Sequence, residues 1–297
     1  MELLHPPRGR FLDVEGVRLH YVEEGDGPPL VLLHGLGSTV EDFATSGLIA
    51  AASRRYRVLA FDRPGYGYSQ RPRNRAWHPW AQARVLRAAL RALDAHRPIV
   101  AAHSWGALVA IAYALAFPGG ARALALASGL YFPSVRLDAP LLVPPGIPLI
   151  GDLLRHTVSP LVGRLLWPAW LRTLFSPTPV PQYFKEGYPA WMALRPSQLK
   201  AIGEEAAMTL PATLSLAKRY EELTLPISLV AGGADRYVHA QHSRRLHALL
   251  PNSRLLVSPQ AGHMVHHSDL ASVMAAIDAA AMGIGGGLLA SPDAGTQ

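Results

Sequence analysis

Three side chains of this 297-residue sequence have the types that nucleophilic hydrolysis requires, and they follow one another as serine, acid and histidine. They are Ser104, Asp235 and His263. A serine hydroxyl is a weak nucleophile until an imidazole takes its proton. The imidazole in turn needs a carboxylate that fixes its tautomer and stabilises its positive form. The trio therefore predicts attack of Ser104 on a carbonyl group, with His263 as base and Asp235 as its partner.

The sequence around Ser104 predicts a sharp turn between a strand and a helix. An apolar run from Pro98 leads into His103-Ser-Trp-Gly106, and helix formers continue to Ala116. This is a near match to G-x-S-x-G, with Ala102 at the first glycine. Such a turn strains the backbone of the serine and aims the helix N-terminus at whatever the hydroxyl attacks. The alternative is an ordinary serine N-cap after a buried strand.

Attack on a carbonyl creates an oxyanion, which needs two preorganised donors. The backbone N–H of Trp105, at the start of the helix, is one candidate. The other is the N–H of Leu36, which lies in the glycine-rich stretch His34-Gly-Leu-Gly-Ser38. Both follow predicted buried strands, so the two donors are expected at one edge of a sheet.

A mainly parallel sheet would bring these residues together. Continuous apolar runs alternate with helical segments, which is typical of such a sheet with helices on both sides. Ligands bind outside the carboxyl ends of parallel strands. Asp235 and His263 follow the strands that end at Val230 and Val257. The predicted strand runs are 30–33, 57–61, 99–100, 122–127, 227–230 and 254–257.

The alternation breaks between about residues 130 and 220, where prolines and short helix-like pieces replace buried strands. This predicts a helical insertion between two strands of the sheet. The expected organisation is a first core part over residues 1–130, a helical cap over 131–220 and a second core part over 221–282. The glycine-rich segment 283–297 is expected to be a flexible tail.

The composition excludes several function classes. The net charge is +7, from 28 Lys and Arg against 21 Asp and Glu, and the densest basic cluster is only Arg71, Arg73 and Arg75. A nucleic-acid surface needs clustered basic residues with interleaved aromatic residues, so no nucleic-acid partner is expected. The absence of cysteine excludes disulfides and thiolate metal sites.

Several histidines invite a metal interpretation, but no carboxylate set is spaced with them, which favours a solvated helix face. They are His239, His242, His247, His266 and His267. We therefore expect no metal and no cofactor. The N-terminus lacks the apolar stretch of a signal peptide, and no apolar run reaches membrane-spanning length. A cytoplasmic protein without a membrane span is expected; its oligomeric state stays open.

The chain resembles an α/β-hydrolase fold protein from Phe11 to about Met282. The stretches that match in order and spacing are His34-Gly-Leu-Gly37, Asp62-Arg-Pro-Gly-Tyr-Gly-Tyr-Ser69, His103-Ser-Trp-Gly106, Gly-Gly-Ala-Asp235 and Gly262-His263. The resemblance implies an eight-stranded sheet with a helical cap. Closest are capped bacterial serine hydrolases, which include carboxylesterases, lactonases, carbon–carbon bond hydrolases and proline iminopeptidases. Haloalkane dehalogenases and epoxide hydrolases have aspartate at the turn, so Ser104 argues against both.

The first hypothesis is a carboxylesterase for hydrophobic short-to-medium-chain or aromatic esters. Its substrate pocket is expected to involve Gly35, Trp167, Trp170, Trp191, Met192, Met208 and Met264, although the cap residues among these could equally be the cap's own core. A proline iminopeptidase-like enzyme could use Glu204-Glu205 to hold a substrate amine. A ligand-binding receptor with a vestigial trio is the non-enzyme alternative. Asp62 and Asp138 are the alternatives to Asp235 as the acid.

Overall fold

The computed structural model describes residues 6–283 and 287–288 of the chain. Its centre is one sheet with the strand order β1-β2-β4-β3-β5-β6-β7-β8-β9. The first two pairings in that order are antiparallel, and the others are parallel. The strands are β1 (Arg10–Val14), β2 (Val17–Glu24), β3 (Pro29–Leu33), β4 (Arg57–Phe61), β5 (Ile99–His103), β6 (Ala123–Ala127), β7 (Ile227–Gly232), β8 (Ser253–Ser258) and β9 (Gly287–Leu288).

The mainly parallel eight-stranded sheet flanked by helices is confirmed, and β9 adds a ninth, two-residue strand. It pairs with β8 through Arg254–Gly287 and Leu255–Leu288. These two residues belong to the segment 283–297 that was expected to be a flexible tail. Apart from Gly283, the rest of that segment lies outside the described residues.

Helices cover both faces of the sheet. Alternate residues of β3 show this, since Val31 and Leu33 pack into one core cluster and Leu30 and Leu32 into the other. The helices are α1 (Val40–Thr45), α2 (Leu48–Ala52), α3 (Pro79–Ala92), α4 (Gly106–Ala116), α5 (Ala139–Leu142), α6 (Ile150–His156), α7 (Val158–Phe175), α8 (Gln182–Gly187), α9 (Ala190–Ala193), α10 (Pro196–Ala217), α11 (Gln241–Leu249), α12 (Val265–Ser268) and α13 (Leu270–Ala281). One face of the sheet is covered by α3, α4 and α11, and the other face by α1, α2 and α13.

Helices α5 to α10 lie between β6 and β7, which are neighbours in the sheet; we call them the cap. The sequence indicated only short helical pieces here, yet α10 runs for 22 residues. It contains Pro211, which removes a helix hydrogen bond and normally interrupts a helix. Around it the side chain of Thr213 donates to the carbonyls of Thr209 and Leu210. These bonds run to the carbonyls three and four residues before Thr213, whereas the carbonyl that Pro211 leaves without a backbone donor is that of Ala207.

None of the helices in the described part of the chain combines the length and the apolar character needed to cross a bilayer.

Candidate active site

Ser104 occupies a strained turn between β5 and α4. Its φ is +53°, in the left-handed region, where a side chain other than glycine costs about 1–3 kcal/mol. Its N–H donates to the carbonyl of Ala127 on the neighbouring strand at 2.9 Å, which holds the turn in place. A Cβ at Gly106 would lie 2.6 Å from the carbonyl oxygens of Leu33 and His34. Only glycine therefore lets α4 leave the sheet this closely.

The three residues of the predicted trio meet at this turn. His263 Nε2 lies 2.9 Å from Ser104 Oγ, and His263 Nδ1 lies 2.8 Å from Asp235 Oδ2. All three residues are buried. The His263 ring therefore donates from Nδ1 to the carboxylate and offers the Nε2 lone pair to the serine hydroxyl. This is the arrangement in which an imidazole can take the serine proton.

Backbone donors orient the carboxylate of Asp235. Its Oδ1 accepts from the N–H groups of Tyr237 and Val238, each at 2.8 Å, which leaves Oδ2 for His263. The Tyr237 ring packs edge-on against the His263 ring, with centroids 4.9 Å apart. Tyr237 was not singled out from the sequence, because only the fold of the loop after β7 turns it toward the histidine.

In the loop after β3, hydrogen bonds to the carbonyl of Gly35 fix the orientation of the peptide that joins Gly35 to Leu36. The Gly35 carbonyl accepts from His34 Nδ1 at 2.8 Å and from the Arg63 guanidinium at 3.0 Å. In a trans peptide the C=O and the next N–H point in opposite directions. The N–H of Leu36 is therefore directed away from Arg63. Within residues 6–283, no protein group accepts from the N–H of Leu36 or from that of Trp105.

His34 is a neutral imidazole that forms hydrogen bonds within this loop. Burial, with the nearby Arg63 charge in addition, lowers the pKa of His34 to about 4. Its Nε2 accepts from the N–H of Arg63 at 3.0 Å. These contacts make His34 a hydrogen-bonding residue that holds the loop.

Arg63 also joins the core to the cap. Its guanidinium donates to both carboxylate oxygens of Glu205 on α10, at 2.7 and 3.1 Å, and both residues are almost fully buried. Tyr66 and Gln82 donate to the same carboxylate at 2.7 and 2.8 Å. Glu204 pairs with Arg71 at 2.7 Å. Neither carboxylate of this pair is thus available to hold a substrate amine.

We expect Glu205→Gln to lower the free energy of unfolding by about 3–5 kcal/mol, because it leaves the Arg63 charge buried without a counter-charge. Urea denaturation followed by circular dichroism measures the change. The matched control is Glu204→Gln, whose partly exposed ion pair contributes up to about 1 kcal/mol. Equal effects of the two substitutions would contradict a special role for the buried pair.

A second buried polar cluster lies behind Ser104. Asp42 on α1 accepts from His266 Nε2 at 3.1 Å and from His267 Nε2 at 2.7 Å. Burial opposes ionisation of Asp42, but the two histidines outweigh it and hold its pKa well below the ordinary value. The expectation of a solvated helix face is wrong for His266 and His267, whose side chains are buried. Sequence reasoning missed Asp42 as their partner, because it lies more than 200 residues away along the chain.

His103 belongs to the same cluster. Its Nε2 donates to the His263 carbonyl at 3.0 Å, and burial, reinforced by His266, holds its pKa well below the ordinary value. Ligand atoms of Asp42, His103 and His266 lie within 4.8 Å of one another. The Asp42 carboxylate also accepts from Ser38 Oγ at 2.8 Å. The Asp42 carboxylate is the one acidic member of this possible set of metal ligands, and it is already engaged by three hydrogen-bond donors.

Two adjoining cavities flank the site. A small one, about 30 Å³, lies at Ser104 and His263. A larger one, about 300 Å³, lies inside the cap and is almost wholly apolar. Leu36, Gly37, Trp167 and Trp170 line both. The cap cavity has further walls from Leu141, Leu142, Val158, Val162, Leu166 and Leu199.

Four of the seven predicted pocket residues line the small cavity: Gly35, Trp167, Trp170 and Met264. The other three, Trp191, Met192 and Met208, are not among the residues that line either cavity. Met192 is buried, and Arg195 lies over the Trp191 ring. Sequence reasoning missed Leu171, Leu174, Phe184 and Tyr188, which do line the small cavity. They lie on α7, on α8 and directly after α8, where no motif reveals which side faces the serine.

The two alternative acids have other partners. Asp62 accepts from His20 Nδ1 at 2.7 Å and from the N–H groups of Val40 and Tyr68 at 2.8 and 3.0 Å, so it fixes the loop after β4. Asp138 pairs with Arg136 and accepts from the Tyr237 hydroxyl at 3.0 Å. Of the three aspartates, Asp235 is the one bonded to His263.

Comparison with known proteins gives the family. The family model described as "alpha/beta hydrolase fold" matches residues 28–270. An uncharacterised protein of Mycobacterium tuberculosis is 28% identical over 277 residues, covering 89% of this chain and 78% of that protein. A 2-hydroxy-6-oxo-2,4-heptadienoate hydrolase of Pseudomonas putida is 28% identical over 271 residues, covering 86% and 90%.

A solved structure shows the same fold. It is an alpha/beta hydrolase fold protein from Burkholderia ambifaria with a TM-score of 0.76 and 22% identity, covering 90% of this chain and 96% of that one. The family model spans most of the chain, and the mainly parallel sheet is the fold that the resemblance implied. The chain therefore belongs to the alpha/beta hydrolase fold family.

Proposed function

We propose that this protein is a serine hydrolase that cleaves carboxylic esters with an apolar acyl or leaving group. His263 takes the proton of the Ser104 hydroxyl as Oγ attacks the ester carbonyl. The N–H groups of Leu36 and Trp105 hold the oxyanion. The alcohol leaves with the proton from His263. Water, deprotonated by His263, then attacks the acyl-enzyme and releases the acid and free Ser104.

The observation that carries this proposal is the hydrogen-bonded series Ser104–His263–Asp235 at a strained turn. The distances of 2.9 and 2.8 Å lie within the hydrogen-bond reach that a general base and its partner require. The strain at Ser104 is a second support, because backbone strain persists where the surroundings enforce it and concentrates at functional sites. A receptor with a vestigial trio would have no need to keep both features.

The cavities support an uncharged, apolar substrate. Among the described residues, those lining the two cavities include no arginine or lysine. The relative from Pseudomonas putida is named for a substrate that carries a carboxylate. A substrate of that kind would be desolvated here without a cationic partner, which is unfavourable. This argues for esters over such carbon–carbon bond substrates.

The aminopeptidase alternative also loses its support. It depended on Glu204 and Glu205 as a free acidic pair in the cap. Both carboxylates are held by arginines, and Glu205 is fully buried. A substrate ammonium group would therefore find no unpaired counter-charge from these residues.

An ester series tests the proposal. We expect kcat/KM to rise roughly tenfold for each two carbons added to the acyl chain of nitrophenyl esters, because each buried methylene contributes about 0.8 kcal/mol. The rise ends when the cap cavity of about 300 Å³ is full. The measurement compares nitrophenyl acetate, butyrate, hexanoate and decanoate, with a pre-steady-state burst to detect the acyl-enzyme.

Prolyl nitroanilide is the control substrate in that series, and it should be hydrolysed far more slowly than any of the esters. A flat series, or a prolyl amide that outruns the esters, would contradict an apolar acyl pocket. Absence of both burst and turnover with every ester would favour the receptor.

A further inference from the structure

The outer surface of the cap is unusually apolar. In the described part of the chain, eleven of the seventeen large apolar side chains that are exposed lie between Val135 and Leu166. Helices α6 and α7 are consecutive and pack against each other. Six of these exposed side chains lie on the two helices and on the residue before α6, and we call them the apolar cap face: Leu149, Ile150, Leu153, Val158, Leu161 and Leu165. Leu149 and Leu165 are 83% and 79% exposed. Contiguous exposed apolar surface of this kind marks a site of interaction.

Helix α7 is apolar on both of its sides. Val162, Leu166 and Trp170, spaced four residues apart, line the cap cavity. Leu161, Leu165 and Pro168 form a second row on another, exposed side of the helix. A helix that is apolar all round is normally buried in protein or in lipid. The second row of α7 is instead exposed.

The charged side chains on α6 and α7 are basic apart from Asp152, which is paired with Arg73 and Arg155. The sequence contains no Asp or Glu from residue 153 to residue 185. Arg164 and Arg172 on α7 are exposed, and no carboxylate in the described part of the chain forms an ion pair with them. Exposed apolar residues flanked by arginine are typical of helices that lie in the interface of an anionic bilayer.

A cleft beside Pro168, at the end of the exposed row of α7, has the same combination of apolar walls and basic residues. It measures about 770 Å³, and its walls are mostly apolar, from residues such as Pro168, Pro179 and Val180. Arg172 and Lys185 are the charged residues among those lining it. Apolar walls with two cations and no carboxylate suit an amphiphile with an anionic headgroup.

The apolar cap face is continuous with the cavity that leads to Ser104. Val158 is exposed on the surface and also lines the cap cavity, and so does Leu141. From the exposed apolar residues and the basic residues beside them, we infer that the protein docks through the apolar cap face onto an anionic lipid surface. There the cap cavity would open toward the acyl region of the leaflet. The idea that esters from the lipid then reach Ser104 rests on the proposed function, whereas the docking itself does not.

Vesicle sedimentation tests the docking with the whole protein. Vesicles of phosphatidylglycerol should retain the protein, and vesicles of phosphatidylcholine should retain markedly less. The double variant Leu161→Glu/Leu165→Glu should bind phosphatidylglycerol vesicles at least roughly tenfold more weakly. Arg172→Gln should weaken it roughly fivefold at low salt. The matched control is Leu249→Glu, an exposed leucine on α11 of the core, which should bind as the wild type does.

Turnover of soluble nitrophenyl butyrate separates docking from catalysis. Leu161 and Leu165 line neither cavity, so the double variant should keep the wild-type rate. Ser104→Ala should bind vesicles like the wild type, and this binding supports docking even if no ester is hydrolysed. Equal binding of the double variant and the wild type, or no binding to phosphatidylglycerol, would overturn the inference. A solution dimer that the double variant dissociates would overturn it too, because a second copy would then cover the face.

Discussion

Ser104→Ala should lower kcat for nitrophenyl butyrate by about 10⁶-fold, because the members of such a trio act as a unit and removal of the nucleophile abolishes the acyl-enzyme route. The protein should remain folded. Ser104 Oγ has one hydrogen bond in the described residues, to His263 Nε2. Steady-state kinetics, together with a thermal unfolding curve for each variant, measure the two effects separately.

Ser128→Ala is the matched control for this substitution. Ser128 lies at the end of β6, next to the strand that carries Ser104, and it too is buried with a positive φ, +46°. Its hydroxyl has no hydrogen-bond partner in the described part of the chain. The control should therefore keep near-normal kcat. Near-normal turnover by folded Ser104→Ala would end the serine-hydrolase proposal.

Asp235→Asn should lower kcat by about 10⁴-fold while preserving the shape of the site. The N–H groups of Tyr237 and Val238 both donate to Oδ1, so the amide oxygen of the asparagine would take that position. Its NH₂ group would then face His263 Nδ1. The ring would be forced into the tautomer that carries its proton on Nε2, and it could no longer accept the proton of Ser104.

Asp138→Asn tests the alternative acid and should lower kcat less than tenfold. Its carboxylate contacts Arg136 and the Tyr237 hydroxyl, so its influence on His263 is indirect. The comparison uses kcat for both variants at a pH where wild-type activity is constant. If Asp138→Asn proved the more damaging, the assignment of Asp235 as the acid would be wrong.

The sequence predicted the sheet and the positions of the trio because each rests on local pattern. Continuous apolar runs identified the buried parallel strands, and each reactive residue directly follows one. The carboxyl ends of such strands share one edge, so Ser104, Asp235 and His263 were expected to meet there.

What the sequence did not reveal depends on pairs that are distant along the chain. The contact between Arg63 and Glu205 joins residues 142 positions apart, and Asp42 meets His267 across 225 positions. No periodicity marks such partners. In the cap, leucine, tryptophan and proline are spread over every side of the helices, so pattern could not separate Trp170, at the cavity, from Trp191, away from it. The same uniformity concealed the length of α10.

The buried contact of Arg63 with Glu205 also limits how the molecule can move. Gln198 on the same helix accepts from the Gly67 N–H at 3.1 Å and donates to the Gly37 carbonyl at 3.2 Å. A swing of the whole cap about a hinge would break all of these contacts and leave a charged pair desolvated and apart. Motion that admits a substrate must therefore leave α10 in place. The cap is thus anchored to the core through α10, in contrast to a lid that lifts as one body.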